Sequence, residues 1–272
     1  CNLGSINLSL MVKGKDEACE IDYPRLAETI KTTVRFLDNV IEVNQFPLPQ
    51  IEEMTKKSRK IGLGVMGFAD MLILLGIPYQ SDRAVALAEK IMSRIQQAAE
   101  AASAELAARR GNFPAFHQSV FPTRGVKQRR NATLTTVAPP GTISILAGVS
   151  SSVEPIFAFD VQRRIVDQIY TDVHSLYERY RREGRTIDPE IFQTAWDVSP
   201  RWHLKIQAAF QKFTDNAVSK TVNLPESITA DEIRALFLAA ADMNLKGITV
   251  YRDRSHPDQV LCACSMKNEE CS

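Results

Sequence analysis

The chain has 272 residues, with 33 Lys and Arg against 32 Asp and Glu, a formal charge of +1. That balance lacks the basic excess of nucleic-acid binders, no apolar run reaches the ~18 residues of a membrane span, and no basic-then-apolar leader opens the chain. Hydrophobic residues at 44% and charged residues at 24% are globular values that suit one large domain or two small ones and exclude disorder of the bulk.

The chain opens at Cys1-Asn2-Leu3, with no Met and no slack before apolar alternation begins. It therefore reads as a piece of a longer polypeptide. Ile6, Leu8, Leu10 and Val12 alternate, which predicts a strand over 5–12. From Asp22, the apolar steps Leu26, Ile30, Val34, Leu37 and Ile41 predict one helix, ended before Pro47 and Pro49. Residues 59–76 are glycine-punctuated and very apolar. Asp82 is the expected cap of an Ala-rich helix to about Arg109, closed by Gly111. Its stripe is Val85, Ala88, Ile91, Met92, Ile95, Ala99, Ala102 and Leu106. Residues 112–131 read as irregular. Residues 132–138 are β-branched and bounded by Pro139, so they read as a buried strand. A Gly- and Ser-rich loop runs to Pro155. Val166, Ile169, Val173, Leu176 and Tyr180 predict a helix stopped by Gly184. Ser199-Pro200 opens another, with the stripe Trp202, Ile206, Phe210 and Phe213. Thr229 with Glu232 forms a capping box for a helix to about Asn244, and 248–251 is a short strand. Strands separated by long helices indicate α/β, or helix-rich α+β, with no repeat and no low-complexity linker.

Gly62-Leu63-Gly64-Val65-Met66-Gly67 fits G-x-G-x-x-G. A dinucleotide site needs a strand immediately before that motif. Met54–Lys60 is no buried strand, so the glycines read as aids to close packing or a tight turn. A second glycine loop is chemically richer. A strand ending at Pro139 feeds Pro140-Gly141-Thr142-Ile143-Ser144 and then an apolar segment. Free N–H groups at a helix start favour an anion. An ordinary strand-to-helix turn fits those residues equally well, and the Lys of a Walker A loop is absent. His117, His174, His203 and His256 lack metal-ligand spacing and read as surface or half-buried. The five cysteines, Cys1, Cys19, Cys262, Cys264 and Cys271, are odd in number and sit near the two ends. They suit a reducing cytoplasm. Cys262-Ala263-Cys264 lacks the usual zinc spacing and a clear fourth ligand, so no metal is expected. A redox tail and an uninformative chain end both fit it.

Four blocks resemble ribonucleotide reductase large subunits, in family order. Cys1-Asn2-Leu3-Gly4-Ser5-Ile6-Asn7-Leu8 resembles the segment after the active-site loop. Arg59–Asp70 resembles the next block. Asn131–Ser144, continued by Ser150–Pro155, resembles the substrate phosphate loop. Lys246–Asp253 resembles the last barrel strand. The resemblance implies the C-terminal half of the ten-stranded α/β barrel, helix-rich, over 1–255, with a cysteine tail over 256–272. It implies reduction of ribonucleotides to deoxyribonucleotides by thiyl-radical chemistry. The type is similar to the adenosylcobalamin-dependent enzymes, because Thr249-Val250-Tyr251 lacks the adjacent tyrosines that relay a radical from a second subunit. A metal-dependent large subunit and a non-catalytic nucleotide-binding remnant are the alternatives.

The same resemblance implies roles for individual residues. Cys1 matches the second cysteine of the reducing pair. Gly141, Thr142, Ile143 and Ser144 match the phosphate-binding loop, with Pro140 in place of the family's usual Thr. Cys262 and Cys264 resemble the tail thiols that re-reduce the site, although C-x-C replaces C-x-x-C. Implied partners are a ribonucleotide, thioredoxin or a similar dithiol, and a second copy of the parent; no nucleic acid or membrane partner is expected. The radical cysteine, in an Asn-x-Cys-x-Glu loop, is expected upstream of Cys1, so the chain alone is expected to be inactive. An intein junction before Cys1 is an alternative account of its start.

Overall fold

The computed structural model describes residues 2–14, 18–165, 168–255 and 262–263. Cys1, Val166, His256, Cys264 and Cys271 lie outside them. The architecture is helix-rich α/β, 49% helix and 13% strand.

Its centre is a run of five parallel segments. β1 (Asn2–Asn7) pairs with β4 (Ile61–Met66) in register from Asn2–Ile61 to Asn7–Met66. Leu63 of β4 bridges Thr135, and Val137 bridges Val218, both in parallel. The chain then enters β7 (Thr221–Leu224), which pairs in parallel with β8 (Thr249–Arg252). The β-branched segment at 132–138 is thus held between neighbours by three backbone bonds to β4 and three to 216–219, although it forms only isolated bridges and no named strand.

The first predicted strand is shorter than its alternation suggests. The Asn7 side chain accepts from both the N–H and the hydroxyl of Ser9 and caps a 3-10 turn, Leu8–Met11. That local bond ends the strand at Asn7. A small hairpin follows, β2 (Val12–Lys13) with β3 (Glu20–Ile21). α1 (Tyr23–Val43) is capped by Asp22 and buries its whole predicted stripe. α2 (Pro49–Ser58) and α3 (Phe68–Leu74) flank β4 in sequence. α4 (Asp82–Arg110) is capped by Ser81, whose hydroxyl accepts from Ala84 N–H, one residue before the expected Asp82. It packs on α1 and on α7 (Pro200–Gln211).

The helix predicted across 166–180 is corrected. Asp160–Ile165 is β5 and Gln168–Val173 is β6, an antiparallel hairpin, and only Ser175–Arg182 is helical, as α6. Steps of three and four through Ile169 and Val173 coincide with β-branched and aromatic residues (Ile165, Ile169, Tyr170, Thr171, Val173) that favour strand. α8 (Ala230–Asp242) has both bonds of its capping box. β9 (Cys262–Ala263) pairs with β5. α5 (Gly141–Ala147) is the short helix after the second glycine loop.

The G-x-G-x-x-G run is itself strand β4 and the turn after it. A Cβ on Gly62 would lie 2.6 Å from Leu3 and 2.8 Å from the Thr136 hydroxyl, and one on Gly64 would overlap the Thr136 carbonyl oxygen. Gly67 has φ +71° and starts α3. Close strand packing and a left-handed turn account for all three.

Candidate functional site

The parallel segments run toward one end of the molecule, and the second glycine loop leaves from there. The segment ending at Val137 meets Pro139-Pro140, and Pro140 is the residue flanking α5. The Ser144 N–H donates to the Pro140 carbonyl at 2.9 Å, the first helical bond of α5. The N–H groups of Gly141, Thr142 and Ile143 therefore precede it, on residues that are exposed. Ser144 is buried and its hydroxyl donates to the Gly141 carbonyl at 3.0 Å, closing the turn. A Cβ on Gly141 would meet nothing within 4 Å, and its φ is not positive. Unlike Gly62 or Gly64, Gly141 is not required by the packing of the described residues.

Behind α5, the chain is held by buried side chains. Ser150 N–H donates to Asp70 Oδ2 at 2.7 Å, and its carbonyl accepts from Gly67 N–H at 2.8 Å. The other Asp70 oxygen faces His174 Nε2 at 3.3 Å. Tyr79 donates its hydroxyl to the Val153 carbonyl at 2.6 Å. Glu154 accepts from Thr221 N–H at 2.6 Å through one oxygen and from Lys220 Nζ at 2.6 Å through the other.

Lys220 is 1% exposed, yet its three donors meet three acceptors: Glu154, His203 Nδ1 at 2.8 Å and the Thr221 carbonyl at 3.3 Å. Burial pulls its pKa down, opposed by the Glu154 carboxylate. His203 is fully buried, which corrects the surface or half-buried reading. Its Nε2 faces the Ala195 carbonyl at 3.3 Å, so the partners assign the neutral Nε2–H tautomer. Burial first, and then the Lys220 charge, lower its pKa to about 3. Burial and Glu154 hold the Tyr79 phenol well above its usual range, protonated and donating.

At the other end of the strands lies a second polar cluster. Asp38 of α1 is fully buried and meets Arg59 at 2.8 Å, Arg110 at 3.1 Å, Arg130 at 3.4 Å and the Asn131 amide at 3.0 Å. Burial raises its pKa, but the Arg59 bond and charge, Arg130 and Asn131 outweigh that and hold the carboxyl below its ordinary value. Arg59 precedes β4 and Asn131 precedes the 133–137 segment. Two of the recognisable blocks therefore begin on one buried carboxylate.

Of the sequence candidates, Gly141 to Ser144 form one turn. Cys1 and Cys264 lie outside the described residues, and Cys262 is placed only by its backbone pairing in β9. His174 and His203 stand behind the turn, and His117 is exposed elsewhere on the surface. Sequence reading assigned no role to Tyr79 or Lys220. The available signal for Lys220 was a single charge between the apolar Val218 and Val222. Among the described residues no three His, Cys, Asp or Glu converge as a metal site.

Residues 1–251 match the family described as ribonucleotide reductase, barrel domain. The chain is 46% identical to the vitamin B12-dependent ribonucleoside-diphosphate reductase of Thermoplasma acidophilum, over 97% of this chain and 37% of that protein. It is 44% identical to the protein of the same name from Mycobacterium tuberculosis, over 98% of this chain and 41% of that one. A ribonucleoside-diphosphate reductase subunit alpha from Chlamydia pneumoniae is 28% identical over 94% of this chain. The chain thus spans about two fifths of the length of the first two relatives.

Proposed function

Since the chain belongs to the ribonucleotide reductase barrel-domain family, we propose that it is part of the catalytic subunit of a vitamin B12-dependent ribonucleoside-diphosphate reductase. The family match over residues 1–251 carries this reading. The names of the T. acidophilum and M. tuberculosis relatives support the cobalamin type. So does Tyr251, which is followed by Arg252 and preceded by Val250, with no tyrosine beside it.

In this reading the substrate phosphates rest on the N–H groups of Gly141, Thr142 and Ile143, with Ser144 shaping the turn. A glycine that the surrounding packing does not demand supports close approach of a ligand to its backbone. Pro140 offers neither the N–H nor the hydroxyl that a threonine would give, so the cradle has two donors fewer at that position. Each turnover replaces the ribose 2′-hydroxyl with hydrogen. The hydroxyl leaves as water, and two cysteine thiols, one of them Cys1, are oxidised to a disulfide. Cys262 and Cys264 of the 256–272 tail then reduce that disulfide by exchange, and thioredoxin or a similar dithiol restores the tail. The barrel part is 1–255, the parent is a homodimer, and it works in the cytoplasm.

The described residues offer no ligand set for adenosylcobalamin. His174 faces Asp70, His203 is enclosed with Lys220, and no metal-type cluster exists among them.

The test is deoxyribonucleotide formation by the complete polypeptide containing this chain, supplied with a ribonucleoside diphosphate, a dithiol and adenosylcobalamin. Product that disappears when the cobalamin is omitted is the expected result. Product only with a separate radical-generating subunit overturns the cobalamin type, and nucleotide binding without any turnover overturns the enzyme reading.

A further inference from the structure

The loop from Pro139 to Glu154 is pinned at both ends and open at its tip. It enters from the 133–137 segment, fixed by the Thr135 and Val137 bridges. It leaves through Ser150, Val153 and Glu154, each held by a side chain from a different place. Asp70 belongs to α3, Tyr79 lies between α3 and α4, and Lys220 with Thr221 opens β7. These bonds land six or more residues past Ser144.

We propose that Asp70, Tyr79 and the Lys220–Glu154 pair are positioning residues for the turn at 141–143, fixing where its N–H groups point. The inference rests on the reading of that turn as phosphate-receiving.

The physical argument has three parts. First, the anchors are dry. Asp70, Tyr79 and Lys220 are each 3% exposed or less, so each bond is unscreened by solvent and a lost partner leaves a buried group unsatisfied. Second, they converge from separate elements, so the exit of the loop cannot drift without moving α3, the α3–α4 connection or β7. Third, α5 itself is weakly held. Its residues Ile143, Ile145 and Leu146 are exposed, Leu146 at 82%, and a two-turn helix has little stability of its own. A cradle made of backbone N–H groups on such a helix binds well only if something behind it restricts its motion beforehand. The sequence between the cradle and the anchors contains Gly148 at φ +64°, and the Ser175 hydroxyl donates to its carbonyl. That bond makes a further tie between α5 and the start of α6.

The test uses the complete polypeptide with Tyr79→Phe, Asp70→Ala and Asp70→Asn. Tyr79→Phe removes one hydroxyl and keeps the ring, so it preserves the packing. Asp70→Asn keeps an oxygen that can accept the Ser150 N–H. Two quantities are read: amide hydrogen exchange of residues 141–149 without ligand, and the affinity for cytidine diphosphate. Exchange in α4 serves as the control for global stability. Tyr79→Phe and Asp70→Ala are expected to speed exchange at 141–149 and leave α4 unchanged. Each should weaken nucleotide binding about three- to tenfold, as the loss of one hydrogen bond allows. With KM raised in step, kcat at saturating nucleotide should stay within about twofold, because uniform binding is what is lost. Asp70→Asn should recover most of the difference. Wild-type exchange and affinity in both Tyr79→Phe and Asp70→Ala overturn the inference, as does an Asp70→Asn protein no better than Asp70→Ala. If cytidine diphosphate fails to protect 141–143 in the wild-type protein, the phosphate reading itself falls. The anchors are then judged on unliganded exchange alone, which rises if they position the turn and stays flat if they do not.

Discussion

Two glycines separate fold from function at the level of single residues. A Cβ on Gly64 would overlap the Thr136 carbonyl, whereas one on Gly141 meets open space. Gly141→Ala should leave the thermal midpoint unchanged or slightly higher, since alanine favours a helix by up to ~1 kcal/mol over glycine. It should nevertheless weaken nucleotide binding, measured by calorimetry on the complete polypeptide. His203 gives a pH prediction. Its folded pKa of about 3 lies below the ordinary 6.5, so the unfolded chain takes a proton that the folded chain refuses. Its contribution is complete above pH 6.5 and declines as pH falls toward 3, at about 1.4 kcal/mol per pH unit. Urea unfolding at pH 6.5 and pH 5 should differ by about 2 kcal/mol from this group, and His203→Gln should flatten that difference. The enclosure of His203 was not legible in the sequence. His203 beside Trp202 near a helix start reads as surface or half-buried, and the Lys220 ammonium that faces its Nδ1 lies 17 positions away.

Elements were legible where periodicity ran long. The stripes of α1 and α4 repeat over many turns, and nearly every residue in them is buried. Val85 alone among them is partly exposed, at the first turn of α4. The hairpin at 160–173 was misread because a short run of spaced apolar residues satisfies helix and strand alike. There the partner strand decides, and pairing is not written in local spacing. β4 was missed for the opposite reason. Glycine is a poor strand former in isolation, and only the closeness of β1 and Thr136 makes it the residue that fits. Gly64→Ala should therefore destabilise by roughly 1–3 kcal/mol or more, the range of an overpacked core. Chemical denaturation provides the measurement. A change under ~0.5 kcal/mol would show that the neighbouring strand yields freely.

Across the whole molecule, the two polar clusters occupy opposite ends of the parallel run. The turn at 141–143 follows the C-terminal end of the 133–137 segment, and Asp70 follows the C-terminal end of β4. The Asp38–arginine hub lies where β4 and the 133–137 segment begin. In α/β barrels, chemistry gathers at the first of these ends and stability at the second. The family was readable because four blocks occur in order, but their division of labour was not, since Arg59 and Asn131 look as functional in sequence as Gly141 and Thr142. The family match ends at residue 251, and the proposed barrel part ends at 255. A chain ending at Ser255 should melt within about 2 °C of the longer one, a shift of about 1 kcal/mol for a chain of this size. A larger drop in scanning calorimetry would assign residues 256–272 a share in the fold.

The glycines of β4 and of the turn after it also bear on how homologues should diverge. Gly62, Gly64 and Gly67 answer to atoms of the same chain, so a relative that loses its chemistry but keeps its shape must keep all three. Gly141 answers to no such atom. Under relaxed selection it should be the first of the four to drift. Among proteins of this shape, glycine at 141 then becomes a marker of retained nucleotide handling, and glycine at 62, 64 and 67 a marker of ancestry alone.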